Sequence, residues 1–295
     1  MVNHFTYPIK QEHAGLSISD FLKSMGYSRK VIIHLKKTEY GIMVNGTWAY
    51  VNHILKSGEC LQIKLVEESS STHILPAPVP FDIIFEDEHI LVINKPANTP
   101  IHPSMGNHEN TLANGVAYYY QNKGIPFVYR CINRLDRDTT GLLIVAKHQL
   151  SSCILSDMIK DRTIHREYLA LALGKVPEAG TINAPIGRVP GSTIERCIDT
   201  INGETALTHY RLVEYKKATD LSLVALTLET GRTHQIRVHM KHIGHPLIGD
   251  YLYHPVYSKI SRQALHSYCL KFDHPITKTK LCFYAPLPED MKNCL

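Results

Sequence analysis

Two short stretches of the chain concentrate the groups that could do chemistry. The first is Asn133-Arg134-Leu135-Asp136-Arg137-Asp138-Thr139-Thr140-Gly141, which runs directly into the apolar segment Leu142-Leu143-Ile144-Val145-Ala146. Two carboxylates and two guanidiniums lie so close together here that they cannot all be buried unpaired. A loop abutting a rigid strand is also a common seat for functional groups, and an ionised carboxylate there can act as a nucleophile or remove a proton. The plain alternative is a solvated, salt-bridged turn. The second stretch is Thr230-Gly231-Arg232-Thr233-His234-Gln235-Ile236-Arg237, at a strand-to-helix junction. A helix capped by Thr233 has Ile236, Met240 and Ile243 as its core stripe and leaves Arg237 off it. Lys241, four residues on, cannot pair with Arg237. The guanidinium must find an acid elsewhere, bind an anion or sit in water.

Other chemistries find less support. His239-x-x-His242-x-x-His245 spans a helix end with Gly244 inside it, a poor metal-ligand spacing. The His-x-Glu and Pro-Cys-x-x-Cys pattern of zinc deaminases is absent, as are a P-loop and G-x-G-x-x-G. Cys131 lies near the charged loop without a base partner and reads as core. Only part of Tyr118-Tyr119-Tyr120 can face one side of a helix, so core packing suits it better than base stacking.

The positioning elements are legible from pattern. With 295 residues and 44% hydrophobic content, the chain can bury a sizeable core in one or two domains. No apolar run approaches the roughly 20 residues of a membrane helix, and no secretory leader opens the sequence. Seven scattered cysteines without a C-x-x-C pair argue against a disulfide scaffold. A cytoplasmic protein with no membrane partner is expected. Net charge is +5, which permits an RNA partner without demanding one. Acidic and Ser residues give way to alternating prolines over 67–80, which predicts an exposed linker between two domains. Beyond it, strands are expected at 81–85, 90–94, 142–146, 168–173 and 221–228, with helices at 111–122, 150–160 and from 233. Hairpins without a regular crossover rhythm predict an α+β fold around a mixed, largely antiparallel sheet with flanking helices.

Before the linker, helices are predicted from Ser17 and from Ser28, followed by a strand into the Asn45-Gly46 turn and a closing strand from Gly58. Residues 1–66 hold eight Lys and Arg against four Asp and Glu. The run Asp20-Phe21-Leu22, Ser28-Arg29, Val44-Asn45-Gly46 and Gly58-Glu59 resembles the small α+β RNA-binding domain shared with ribosomal protein S-four. That resemblance implies that Arg29, Lys30, Lys36 and Lys37 face RNA. A solvated charged helix face is the alternative.

The two chemical stretches, extended to Lys147 and His239, resemble the signature of the RluA-type pseudouridine synthases. So do Ile93-Asn94-Lys95-Pro96 with His102-Pro103, Arg166-Glu167-Tyr168-Leu169-Ala170, and Gly244-His245-Pro246-Leu247-Ile248-Gly249-Asp250. The motifs occur in order from Phe81 onward. The resemblance implies that residues 81–295 form the catalytic domain and that Asp136 is the essential acid. It further implies that Arg237 pairs with that acid, that Tyr168 packs on the target base and takes part in proton removal, and that Arg134 enters the RNA. Arg232 and Asn133 are carried along as RNA contacts. Asn133 stands where the family more usually has His, and can hydrogen-bond either the loop or RNA.

The implied reaction suits the residue types. Pseudouridine formation breaks the bond from the sugar to ring nitrogen 1, turns the uracil and rejoins it through carbon 5. Nothing is oxidised and no group enters or leaves, so no cofactor and no metal is expected. A nearby Arg favours the charged form of an acid in a desolvated pocket, and carbon 5 must lose its proton to a base. Chemistry on a base takes it out of the helical stack, which fits an inserted Arg134 and a stacking Tyr168. The expected protein is a monomeric enzyme acting on structured RNA, with a layout similar to members that modify large-subunit ribosomal RNA. The competing reading is a non-catalytic RNA-binding or ribosome-assembly protein, which has no use for Asp136.

Overall fold

The computed structural model describes residues 1–67, 69–256 and 259–295. The N-terminal part contains β1 (Val2–Pro8), α1 (Ile18–Ser24), α2 (Arg29–Lys37), β2 (Ile42–Val44), β3 (Thr47–Trp48) and β4 (Cys60–Val66). Ser17 and Ser28 cap the two helices, accepting from the Asp20 and Val31 amides. Ile18, Phe21, Leu22, Val31, Ile32 and Leu35 thereby share one core with Leu61, Ile63 and Leu65, the inward alternates of β4. Asn45 (φ 51°) and Gly46 (φ 79°) give the β2–β3 hairpin the two successive left-handed residues of a tight turn. Sequence pattern does not predict β1, whose polar alternates leave a weak apolar signal. It nevertheless pairs with β4 from Val2 opposite Val66 to Pro8 opposite Cys60.

The segment 67–80, expected as an exposed linker, is tied to the rest of the chain along its length. Glu67 is buried, accepts from Gln149 N at 3.0 Å and pairs with Arg130 at 3.0 Å. The hydroxyls of Ser70 and Ser71 accept from the Phe127 and Tyr129 amides, and Asn114 donates to the Leu75 carbonyl. Val79 lies so close to Gly115 that a Cβ there would collide with it. Local polarity and prolines give the segment a solvated look, whereas distant backbone groups tie it down. Glu68, within this segment, lies outside the described residues.

The remainder is built from β5 (Asp82–Glu86), β6 (Ile90–Lys95), α3 (Leu112–Asn122), β7 (Thr140–Ala146), α4 (Gln149–Lys160), β8 (His165–Leu173) and β9 (Ala179–Asn183). There follow β10 (Ile186–Arg188), β11 (Arg196–Ile198), β12 (Leu207–Lys216), β13 (Leu221–Leu228), α5 (Gln235–His242), β14 (Leu265–Asp273), β15 (Lys280–Tyr284) and α6 (Glu289–Lys292). The main sheet runs β5-β6-β7-β14-β8-β13-β12-β9, with β15 also on β14. Its pairings are antiparallel except β7 with β14, so the α+β fold with a mixed, largely antiparallel sheet is the observed one. The face carrying Tyr168, Ala170, Val224 and Leu226 packs against Ile236 and Met240 of α5 and against α3. Leu150, Cys153 and Ile154 of α4 pack into the N-terminal core, joining the two parts.

Two features of this frame are under sharp constraint. Gly141 opens β7 at φ +108°, and a Cβ there would overlap the Ser267 carbonyl and lie 2.6 Å from its nitrogen. His148 and His266 are fully buried, and burial pushes their pKa values down to about 3 and about 4. The unfolded chain therefore binds protons below about pH 6.5 that the folded chain refuses, so stability is whole above that pH and is lost as pH falls toward 4. Gly141→Ala should cost roughly 3 kcal/mol in urea unfolding, from strain and overlap together. A loss below about 0.5 kcal/mol would show that the close β7–β14 approach is dispensable. Between about pH 7.5 and 5 the unfolding free energy should drop, by roughly 2 kcal/mol for each buried His; a flat profile would refute this.

Candidate active site

Arg237, in the first turn and a half of α5, is 2% exposed. Its Nε and Nη2 donate to the two oxygens of Asp250 at 2.7 and 2.8 Å, and its Nη1 donates to Asp136 Oδ2 at 3.0 Å. Burial works against the charge of Arg237, but the Asp250 and Asp136 carboxylates outweigh it and hold the pKa above its ordinary value. The rings of Tyr253 and Tyr251 lie 5.0 and 5.8 Å from the guanidinium carbon and add cation–π attraction.

The two acids are not equivalent. Asp250 is fully buried, and beyond the bidentate pair its Oδ1 accepts from the Leu252 and Tyr253 amides, each at 3.1 Å. It is committed to structure. The Asp136 side chain is 24% exposed and opens onto a cavity. The arrangement holds the Asp136 carboxylate in place through one oxygen and leaves the acid accessible from the cavity, where a carboxylate can act as nucleophile or base.

The turn carrying Asp136 is pinned from below. Lys95 is fully buried and donates to the carbonyls of Pro96, Thr99 and Arg137 at 2.7, 2.9 and 2.7 Å. Burial lowers its pKa to about 7, against the pull of Asp138 and Asp136. Thr139 N closes the turn onto Asp136 O, and Arg262 Nη1, itself anchored on Asp290 in α6, reaches Asp138 O. Asn133 is buried, with Oδ1 accepting from Ile144 N at 2.8 Å and Nδ2 donating to Leu142 O at 3.4 Å. Of its two sequence-level options, loop support describes its observed bonds, and both ends of the amide are engaged within the protein. Arg137 pairs with Asp138, so the solvated salt-bridged turn is partly realised beside the reactive acid.

Asp136, Tyr168, Arg237, Arg134 and Arg232 all line one open cavity, together with Arg166, His234 and Gln235. Tyr168 projects from the middle of the sheet, paired across to Leu226 and Ser267. It is buried, which raises its pKa, while the Arg166 guanidinium and the Ser267 hydroxyl work in the opposite direction. Arg134 is exposed at the rim and also lines a second, larger cleft running past His102 and Tyr251. Arg232 is bound to Glu204 and the Thr205 carbonyl. Arg29, Lys30, Lys36 and Lys37 are exposed on α2 and do not line the Asp136 cavity.

The predicted start of α5 is also corrected. The cap residue is His234, in the left-handed region at φ 59°, and Thr233 precedes it. The αL turn directs His234 Nδ1 to the Tyr253 hydroxyl at 2.9 Å and sets Nε2 3.8 Å from Asp136. Gln235 accepts from Thr230 Oγ1 and Arg232 N, fastening the loop that enters the helix. Burial keeps His234 below its ordinary pKa despite Asp136. Asp250, Lys95 and His234 were not singled out from sequence, although each sits within a matched motif. His239 bonds Thr208 and Ala184 O, so its ring serves the core, and Cys131 is pushed by burial up to about 12. Tyr120 stacks on Phe127 at 3.9 Å.

The model of the RNA pseudouridylate synthase family matches residues 89–242, just over half of the chain, spanning the Asp136 turn, Tyr168 and Arg237. The chain belongs to that family. It is an RluA-type enzyme that isomerises uridine in RNA. It is 42% identical to the uncharacterized RNA pseudouridine synthase YjbO of Bacillus subtilis, over 95% of this chain and 98% of the relative. It is 35% identical to the ribosomal large subunit pseudouridine synthase D of Xanthomonas campestris, over 86% and 80% of the two chains. Among solved structures, human RNA pseudouridylate synthase domain containing 1 superposes with a TM-score of 0.61 at 26% identity, covering 77% of this chain and 90% of that one.

Asp250→Ala leaves Arg237 buried with only one partner. It should lower unfolding stability by roughly 3–5 kcal/mol, measured by urea titration of the purified variant. A loss under about 1 kcal/mol would mean that the ion pair does not organise this region.

Proposed function

We propose that the enzyme modifies large-subunit ribosomal RNA, with Asp136, Arg237 and Tyr168 doing the chemistry. The observation that carries the residue roles is the asymmetry of the two acids on Arg237. One is saturated by structure, and the other is held through one oxygen and open to the cavity. Asp136 acts on the sugar or base as the glycosidic bond breaks, and Arg237 keeps it aligned. Tyr168 packs against the uracil. It takes part in removing the carbon 5 proton, which leaves for solvent as the product forms. Arg134 fills the gap left by the flipped nucleotide. The ribosomal substrate is supported by the relative of Xanthomonas campestris, whose name carries that activity.

Residues 1–66 are proposed as the RNA-binding arm, 67–80 as its connection and 81–295 as the catalytic domain. Arg29, Lys30, Lys36 and Lys37 on the exposed side of α2 supply backbone contacts, which position an RNA without reading it. A monomer is proposed, since the hydrogen bonds that hold Asp136 and Asp250 on Arg237 need no second copy of the chain. Among the described residues no helix is long and apolar enough to cross a membrane.

Asp136→Asn retains size and removes the charge. Uridine tritiated at carbon 5 releases its label when carbon 5 bonds to the sugar, so an unmodified large-subunit ribosomal RNA transcript made with it reports turnover directly. The variant should release no label above background, while its melting temperature and RNA affinity stay close to the parent's. Label release at the parent's rate would remove Asp136 from the chemistry. Label release by neither protein, with transfer RNA serving as substrate instead, would remove the ribosomal assignment.

A further inference from the structure

The catalytic cavity does not end at Tyr168. Two residues before it on the same face of β8, Arg166 lines the cavity, and no ion pair engages it among the described residues. Its Nε is buried without a hydrogen-bond partner, a costly state for a guanidinium unless something else supplies an acceptor. Gly231 faces it, with the position of a Cβ there 3.6 and 3.9 Å from the guanidinium nitrogens, so the Gly231 backbone forms one wall beside Arg166. Arg166 and Leu228 also line a second cleft, which turns round the adjoining ends of β8 and β13 to the other face of the sheet. That cleft shares Arg162, His165 and Lys271 with a third, which continues along β14 and β15 past Lys278 and Lys280.

The charge along this path favours an anion. Glu229 is already held by Arg162 and His209. Glu167 and Asp273 remain, against Arg166 and the exposed Lys271, Lys278 and Lys280. None of those three lysines is in an ion pair among the described residues.

We infer that this path is the track for the RNA strand on one side of the flipped uridine. Arg166 binds the phosphate at the cavity mouth, and Lys271, Lys278 and Lys280 follow the backbone beyond it. A phosphate at the mouth fits the unpartnered Nε, because a guanidinium binds phosphate through parallel N–H donors. The strand lies on the catalytic domain, and none of the α2 lysines or Arg29 lines its path, so the enzyme grips RNA through two separate sets of side chains. The inference rests on the chain's action on RNA uridines but is tested separately from the choice of substrate.

Two sets of variants of the full chain test it. Against a fluorescein-labelled oligouridine of twenty nucleotides, Lys271→Gln/Lys278→Gln/Lys280→Gln should shallow the plot of log affinity against log salt by about two units, at about 0.7 for each phosphate no longer neutralised. On the unmodified ribosomal transcript, Arg166→Gln should raise KM about tenfold and Arg166→Lys should recover most of the loss, since a charged interaction with phosphate survives in part. Melting temperatures identify any variant that has lost its fold, and the triple variant touches only exposed side chains. An unchanged salt slope in the triple variant overturns the track. A fall in kcat with unchanged KM in Arg166→Gln overturns the phosphate clamp. If the parent fails to turn over the transcript, the ribosomal assignment fails, and the salt slope on oligouridine still decides the track.

Discussion

A guanidinium almost wholly removed from water is costly unless its donors and its charge are satisfied. Arg237 meets that requirement with two carboxylates, and much of the active site follows from how they differ. Asp250 takes the bidentate half of the fork and two backbone amides, leaving Nη1 directed at Asp136. One buried charge thus fixes the position of a loop from a distant part of the chain. Water is scarce around Arg237, while the acid that it holds stays open on its other side.

The sheet is what makes this geometry possible. β7 carries the Asp136 turn at its start, and its parallel pairing with β14 at Thr140 and Gly141 sets that turn beside Ser267 and Tyr168. Gly141 permits the approach because no Cβ fits against Ser267. Lys95 at the end of β6 then ties the turn to the Pro96–Thr99 segment through three carbonyls. Short motifs that are remote in sequence meet because each sits at a strand or helix end on the same side of the sheet. Preorganisation of this kind holds the carboxylate proposed to react in one geometry before substrate arrives.

Much of this was legible in the residues themselves. The helices from Ser17 and Ser28 and the strand at Leu142–Ala146 have strong local signals: caps, clean periodicity and a continuous apolar run. The place of Arg237 off the helix stripe left an acid, a bound anion or water as its partner, and the structure supplies two acids. What local pattern could not supply was long-range. β1 is half polar and exists because β4 offers it a full ladder of partners. The segment after Glu67 looks solvated because its anchors, Arg130, Gln149 and Asn114, lie far along the chain. Asp250 carried no local sign of pairing with Arg237, since an Asp in a Gly-Asp turn is ordinary. The displaced cap of α5 reflects a left-handed His234 held by Tyr253, a tertiary contact that overrides the capping preference of Thr233.

The central claim is that the fork of Arg237, beyond its charge, holds Asp136 ready. Arg237→Lys keeps one positive charge and cannot bridge two carboxylates with three directed bonds. The most direct measurement is the single-turnover rate of that variant on saturating RNA, taken on protein verified as folded. With Asp136 in its proposed role, the rate should fall roughly a hundredfold below the parent's with RNA affinity little changed, the cost of a misaligned carboxylate. A rate within about twofold of the parent's would contradict it, since a point charge would then suffice.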